Sequence, residues 1–227
     1  MALLSRKLTP ETLLDIRTIL LLITLTLICR AGVLVFVWRS APEYRPLKPW
    51  AWGSMAVAMG ALLISLREVT PPLASVIAGQ GATLAGWLLI AGGIALAAQQ
   101  PVPWRRAWIV LSAGWLGVAW FQYAHPDYGL RTLASTVPEL AFDAYALLAC
   151  LRARAGRAQR TLRVLGVLVF ALMVSNMIKG VQALASNQTS VFEANLPTVQ
   201  FFVFSLLYCI VTLALFVLLA AQDLQEK

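Results

Sequence analysis

The chain has 227 residues, of which 60% are hydrophobic and only 12% are charged, and its formal net charge at pH 7 is +8. Soluble domains carry about 25% charged residues, so this composition excludes an ordinary soluble helical bundle. The positive charge would favour nucleic acid as the partner of a soluble domain, but here the basic residues fall in short segments between long apolar runs. We therefore expect an integral membrane protein whose partner is the lipid bilayer and not nucleic acid.

Apolar runs of roughly 20 residues, the length that crosses a hydrocarbon core of about 30 Å, recur along the whole sequence. Turn-forming segments separate them and predict seven spans in chain order: 13–38, 50–66, 73–98, 106–124, 131–151, 162–184 and 197–221. The polar segments between the spans are too short for a second domain. The predicted fold class is all-α, an integral membrane bundle of seven transmembrane helices, with residues 1–221 as one domain.

The basic residues also predict how the spans are oriented, because cytoplasmic loops carry an excess of Lys and Arg. Ten such residues follow the first, third and fifth spans, whereas only Arg67 and Arg131 follow the second, fourth and sixth. The N-terminus is therefore predicted outside and the C-terminus in the cytoplasm. Tryptophans at the predicted cytoplasmic ends are expected to form an interfacial belt: Trp38, Trp50, Trp52, Trp104 and Trp108.

The third span contains small residues four apart, Gly81 with Ala85 and Ala82 with Gly86. This spacing lets two helices approach closely. Packing inside the bundle is the expected role of these residues, and a dimer interface is the alternative.

The fifth span carries two carboxylates, Glu139 and Asp143, which share one helical face because they are four residues apart. At about 1.5 Å per residue they lie roughly 10 and 16 Å from the outer end of the span. An ionised carboxylate near the membrane centre costs about 2.5–3.5 kcal/mol, so a partner is expected. Pro138 either kinks the helix or marks its first turn, and either arrangement would widen a cavity.

The sixth span supplies candidate partners, because Asn176 and Lys179 are three residues apart and share a face in its outer third. Asp15 and Arg17 lie in the outer layer of the first span, whereas the inner halves of the spans are almost purely apolar, with Arg30 the main exception. We predict an outward-open, ligand-binding cavity formed by Arg17, Asp15, Glu139, Asp143, Asn176 and Lys179. A purely structural polar network is the alternative at these positions, and a proton pathway is a third possibility.

The seventh span continues towards the C-terminus without a helix-stopping Gly or Pro. Val217, Ala221 and Leu224 have the 4,3 spacing that is typical of a parallel coiled coil. We expect residues 222–227 to begin a cytoplasmic signalling coiled coil in a homodimer, with an output domain that these residues do not include.

No residue pattern indicates catalysis or a resident cofactor. The sequence contains no G-x-S-x-G, H-E-x-x-H, P-loop or Rossmann fingerprint. His125 is the only histidine, which excludes a bis-histidine haem or a zinc triad within one chain, and the three cysteines, Cys29, Cys150 and Cys209, lack metal-ligand spacing. We expect no catalytic residue, no metal and no cofactor.

Three short stretches resemble those of a known family. "LDIRT" (14–18) opens the first span, "LREVTPPLASV" (66–76) crosses the predicted outer loop, and the last helix runs into "DLQEK" (223–227). With these stretches the chain resembles, over nearly its whole length, the seven-helix membrane input modules that are fused to GGDEF diguanylate cyclase domains in bacteria. The resemblance implies a location in the bacterial cytoplasmic membrane and a homodimeric cyclase that joins two GTP into cyclic di-GMP. No GGDEF motif occurs here, so catalysis is assigned to no residue.

The leading hypothesis is a sensory input domain that binds a small-molecule or lipid ligand from the outer side and regulates the cyclase through the last helix. The alternative is a small proton- or solute-coupled transporter that uses Glu139 and Asp143, although no internal repeat supports it. A third hypothesis is a retinal photoreceptor with Lys179 as the retinal-binding lysine. Known microbial rhodopsins carry that lysine in helix 7, whereas Lys179 lies in the sixth span.

Overall fold

The computed structural model describes residues 16–67, 69–153, 157–185 and 196–225, with only the backbone described at 16, 17, 157 and 196–198. The helices are α1 Ile16–Ser40, α2 Leu47–Ser65, α3 Gly79–Ala97, α4 Trp104–Tyr123, α5 Tyr128–Leu151, α6 Arg157–Ala185 and α7 Leu196–Gln225. A π-helical segment, Leu73–Ala78, leads directly into α3. The described residues contain no strand, so the all-α prediction is confirmed.

Six of the described helices are long and apolar enough to cross a membrane when the π-helical segment is counted with α3. The exception is α4, whose 20 residues include four tryptophans and the pair Arg105 and Arg106, which lower its mean hydropathy. Six such helices indicate a multi-pass membrane protein. The predicted seven helices are therefore all present, and the capacity to span a membrane is found for six of them.

Six helices close into a ring, in which α1 packs on α2, α2 on α3, α3 on α5, α5 on α6, α6 on α7 and α7 again on α1. α4 lies outside this ring, against α5 and α3. Its buried residues are Leu111 and Val118, while Ile109, Leu116 and Trp120 are more than 60% exposed. An apolar face exposed in this way is typical of a helix that contacts lipid.

α2 and α3 approach closely at two glycines. A Cβ atom on Gly86 would lie 2.7 Å from the carbonyl oxygen of Gly53, and a Cβ atom on Gly53 would lie 2.8 Å from the carbonyl oxygen of Gly86. Both positions therefore require glycine, because a side chain would overlap the facing backbone. Gly81, in the same stretch of α3, lies against the ring of Trp115 in α4. These small residues thus pack inside the bundle, as the sequence predicted.

Trp50 corrects the predicted tryptophan belt. Its side chain is 0% exposed and stacks on Phe216 of α7 with ring centroids 3.9 Å apart, whereas Trp52 and Trp108 remain exposed. Such aromatic pairs contribute about 0.5–1.5 kcal/mol beyond the area that they bury. Trp50 therefore ties α2 to α7 in the core and does not anchor the bundle in the interface.

Candidate ligand-binding site

α5 presents a row of polar side chains to the centre of the ring. The helix is capped by Asp127, whose Oδ1 accepts a hydrogen bond from the backbone N–H of Leu130 at 2.9 Å. Glu139 and Asp143 are four residues apart and share a face, and Arg131 lies two turns before Glu139, so the three residues fall within roughly 120° of the helix circumference. Glu139 and Asp143 are each only 6% exposed. Both carboxylates therefore face inward, as predicted.

Pro138 lies well inside α5, so the alternative that it marks the first turn is wrong. The helix begins ten residues earlier, at Tyr128, and continues to Leu151. The proline ring is buried against Gly114 of α4. Proline lacks a backbone N–H, and here it serves as a packing contact between α4 and α5.

α6 provides a partner for each carboxylate. The Nζ atom of Lys179 lies 3.2 Å from Oε2 of Glu139 and forms an ion pair with it. One turn away, Nδ2 of Asn176 donates a hydrogen bond to Oδ2 of Asp143 at 3.2 Å. The Nζ atom of Lys179 also lies 4.3 Å from the ring centre of Phe201 in α7. This polar cluster joins α5, α6 and α7, and the pairing of Lys179 with a carboxylate agrees with the sequence prediction.

A cavity of about 170 Å³ lies at the centre of the ring, beside the ion pair. All six ring helices contribute to its wall, and none of its described wall residues belongs to α4. The side formed by α5 and α6 is polar and includes Arg131, Glu139, Asn176, Lys179 and Gln182. The side formed by α1 and α2 is apolar: Leu20, Ile23, Leu27, Val57, Ala61 and Ile64. The cavity can therefore accept a molecule with one polar and one apolar side.

Arg131 is a wall residue that the sequence reasoning treated only as a topology signal. Its guanidinium donates a hydrogen bond to Oε1 of Gln122 in α4 and lies 5.2 Å from the ring centre of Tyr128. Among the described carboxylates, none forms an ion pair with it. Its position eight residues before Glu139 is a signal that could have identified it, because that spacing places both residues on similar faces of a helix.

The aromatic wall residues Trp87, Phe201 and Phe202 were also missed. Their sequence context resembles that of lipid-facing residues, so no local signal distinguishes them. Asn176 adds a further feature, because its Oδ1 atom is buried and has no hydrogen-bond partner among the described residues. An unpaired buried acceptor costs roughly 1–3 kcal/mol, which a donor on a ligand or a water molecule would offset.

Three predicted site residues are not among the described residues of the cavity wall. Asp143 is buried and bonded to Asn176 but does not line the cavity. Asp15 lies outside the described residues, and Arg17 is described only by its backbone. Their contribution to the site stays a prediction. The cation that the structure places beside Glu139 is Lys179.

A second buried polar contact lies outside the cavity wall, at Arg30 of α1. Its side chain is 0% exposed, and its Nη1 atom donates a hydrogen bond to Oγ1 of Thr212 in α7 at 2.9 Å. Its Cζ atom lies 4.8 Å from the ring centre of Phe216, which stacks on Trp50. The Nε and Nη2 atoms of Arg30 have no partner among the described residues. These contacts connect α1 and α2 to the part of α7 that follows its cavity-lining residues.

The chain matches no protein-family model, and no curated protein or solved structure shows significant similarity to it. Within the part of the chain that the structure describes, no three His, Cys, Asp or Glu side chains are grouped so that they could hold a metal ion. The fold and the site together define an all-helical, multi-pass membrane protein with an amphipathic central cavity.

Proposed function

We propose that this chain is a sensory input domain in the bacterial cytoplasmic membrane, which binds a small ligand from the outer side and regulates a C-terminal diguanylate cyclase. The observation that carries the proposal concerns α7. This helix lines the cavity with Phe201, Phe202, Ser205 and Cys209 and then continues as an unbroken helix to Gln225. A ligand that binds one position of α7 more tightly than another would shift the populations of the two positions and so change the output.

Contacts further along α7 support this transmission route. Beyond the cavity, Thr212 accepts a hydrogen bond from Arg30 of α1, and Phe216 stacks on Trp50 of α2. Nearer its end, Oε1 of Gln222 accepts a hydrogen bond from Thr161 of α6 at 3.2 Å. A shift of α7 must exchange these contacts for others, which favours a small number of discrete positions over continuous sliding.

The direct test fuses a diguanylate cyclase catalytic domain after Lys227 and measures cyclic di-GMP formation in cells. We expect Asp143→Asn, which replaces a buried carboxyl by an amide of the same size, to change the output at least fivefold while the protein still folds. Glu43→Gln is the matched control and should leave the output unchanged, because it also replaces a carboxyl by an amide of the same size, at an exposed position outside the polar cluster and the cavity wall.

Two results would contradict the sensory proposal. Asp143→Asn could lower the thermal stability and leave the output unchanged, in which case the polar cluster is only structural. Alternatively, a Glu139→Gln and Asp143→Asn double variant could match the wild type in both stability and output. That result would exclude the sensory role and the structural role of the two carboxylates together.

The proposal includes seven spans, with α4 crossing the membrane. Gln80 near the start of α3 and Arg131 near the start of α5 both line the cavity, so these two helices begin at the same end of the bundle. α4 connects the end of α3 to the start of α5 through short segments, and its 20 residues extend over roughly 30 Å. A helix of that length in that position supports a seventh crossing.

The orientation gives a first prediction. A reporter that is active only in the cytoplasm should work when it is fused after Lys227 or inserted within residues 152–163, and it should fail within residues 187–195. The physical reason is the excess of basic residues in the former segment. If α4 did not cross the membrane, α5, α6 and α7 would be inverted relative to α1, and the pattern at these three sites would be reversed.

The exposed edge of α7 is consistent with the proposed dimer. Val217 is half-buried, whereas Ala221 and Leu224 are exposed. Leu224 leaves 52% of its surface uncovered near the end of the described helix. In a parallel pair of α7 helices, these three residues of one copy would pack against the same three residues of the other copy.

A second prediction follows for the oligomeric state. Single cysteines at Val217, Ala221 or Leu224, in a variant whose native cysteines are replaced, should form disulfide-linked dimers under mild oxidation. Asp223, which lies about 100° or more around α7 from each of these three positions, is the control and should cross-link much less. Equal cross-linking at all four positions, or none at any, would contradict a parallel α7 pair.

A transporter remains the second candidate function. Glu139 borders the cavity, and Asp143 lies one turn deeper and equally buried, an arrangement that two-step proton transfer could use. Purified protein in liposomes would then pass protons down a pH gradient, and Asp143→Asn would stop the flux. A sensory domain carries no such flux.

A further inference from the structure

The charges of the cavity wall point to the kind of ligand it binds. Among the described residues of the cavity wall, two are cations, Arg131 and Lys179, and one is a carboxylate, Glu139. Lys179 is already paired with Glu139, so the two charges largely cancel. Arg131 has an amide oxygen and an aromatic ring as its neighbours, and its charge is balanced by no ion pair with a described carboxylate. The uncompensated charge among the described wall residues is therefore positive.

Two other described charges near Arg131 act on it in opposite directions. Asp127 attracts Arg131 but forms no ion pair with it, and its Oδ1 atom accepts a hydrogen bond from Leu130. Arg67 is a second nearby cation and adds to the positive potential at this end of the cavity. A guanidinium has five N–H donors, and only one contact of Arg131 to a described acceptor, Gln122, is present. The other N–H donors of the Arg131 guanidinium are available to bind a planar anion.

The size of the cavity limits the rest of the ligand. An apolar cavity of about 150 Å³ holds a benzene molecule, so the 170 Å³ here accommodates one ring or a short chain with a small polar group. The apolar wall formed by α1 and α2, including Leu20, Val57 and Ala61, provides the surface against which the apolar part of the ligand would pack.

We propose that the central cavity binds a small monocarboxylate, with its carboxylate on Arg131 and its apolar body against α1 and α2. This proposal rests on the central cavity being the ligand site of the sensory domain and adds the chemical class of the ligand. An ammonium compound is disfavoured, because the uncompensated charge of Arg131 would repel it. Arg131 acts by direct contact with the ligand, and Lys179 keeps the neighbouring Glu139 from repelling the carboxylate.

The test measures binding of benzoate to the purified chain in lipid nanodiscs by calorimetry, with benzyl alcohol and benzylamine as neutral and cationic analogues. We expect benzoate to bind at least about tenfold more tightly than either analogue, since a hydrogen bond to a charged group contributes about that factor. Arg131→Gln should remove the preference for benzoate, and Arg131→Lys should keep part of it. Arg39→Gln, an exposed arginine outside the cavity wall, is the matched control and should bind like the wild type.

A second variant protects the test against misfolding of the Arg131 variants. Ala61→Leu fills the apolar wall without touching Arg131 and should weaken benzoate and benzyl alcohol alike. No saturable benzoate binding, equal binding by Arg131→Gln, or tighter binding of benzylamine would each overturn the proposed ligand class. Because these measurements concern binding and not signalling output, the sensory role is judged by the cyclase fusion. Conversely, benzoate binding without any change in fusion output would count against the sensory role alone.

Discussion

Replacing Lys179 with methionine should lower the apparent melting temperature of the protein by on the order of 10 °C. The change keeps the length of the side chain but removes the ion-pair partner of Glu139, whose side chain is only 7% exposed. Breaking a buried pair by removing one partner costs about 3–5 kcal/mol, and 1 kcal/mol corresponds to about 2–4 °C in a chain of this size.

Two further variants separate the pairing from other effects of the substitution. A Lys179→Met and Glu139→Gln double variant should recover most of the loss, because it leaves no unpaired charge. Lys48→Met, which removes an exposed lysine at the start of α2, should stay within about 0.5 kcal/mol of the wild type. A single Lys179→Met variant as stable as the wild type would show that Glu139 does not depend on this pair.

Replacing Gly86 with leucine should prevent the folded protein from accumulating, and even Gly86→Ala should destabilise it. Helix propensity alone favours alanine over glycine by about 1 kcal/mol. Overpacking costs about 1–3 kcal/mol, and here the added carbon would lie 2.7 Å from the Gly53 carbonyl oxygen, which belongs to the backbone and cannot rotate away. The packing cost therefore exceeds the gain from helix propensity. Thermal unfolding of the purified proteins measures whether Gly86→Ala lowers or raises the stability relative to the wild type.

Gly32→Ala is the matched control for this prediction. It is the same chemical change in the middle of α1, but nothing lies within 4 Å of the position that the new Cβ atom would occupy. Gly32→Ala should therefore leave the stability unchanged or raise it slightly. The proposed close contact between α2 and α3 would be disproved if both alanine variants had the same effect.

The sequence alone determined the helical class and the main candidate site. Runs of apolar residues separated by turn segments predicted seven helices, and all seven are present among the described residues. The four-residue spacing of Glu139 and Asp143 and the three-residue spacing of Asn176 and Lys179 predicted two polar faces that meet. These predictions succeeded because helical periodicity and the cost of a buried charge are local properties that one sequence reveals.

Only the tertiary structure decided which helices surround the centre and which residues share the cavity. The ring of six helices excludes α4, and no periodicity in the sequence indicates this, because lipid-facing and core-facing apolar residues look alike in a membrane chain. For the same reason Trp50 was expected in the interface, although it is stacked on Phe216 in the core. Arg131 was assigned to the topology of a loop, whereas its place in the cavity wall depends on how α5 is rotated about its axis, and packing against α3, α4 and α6 fixes that rotation.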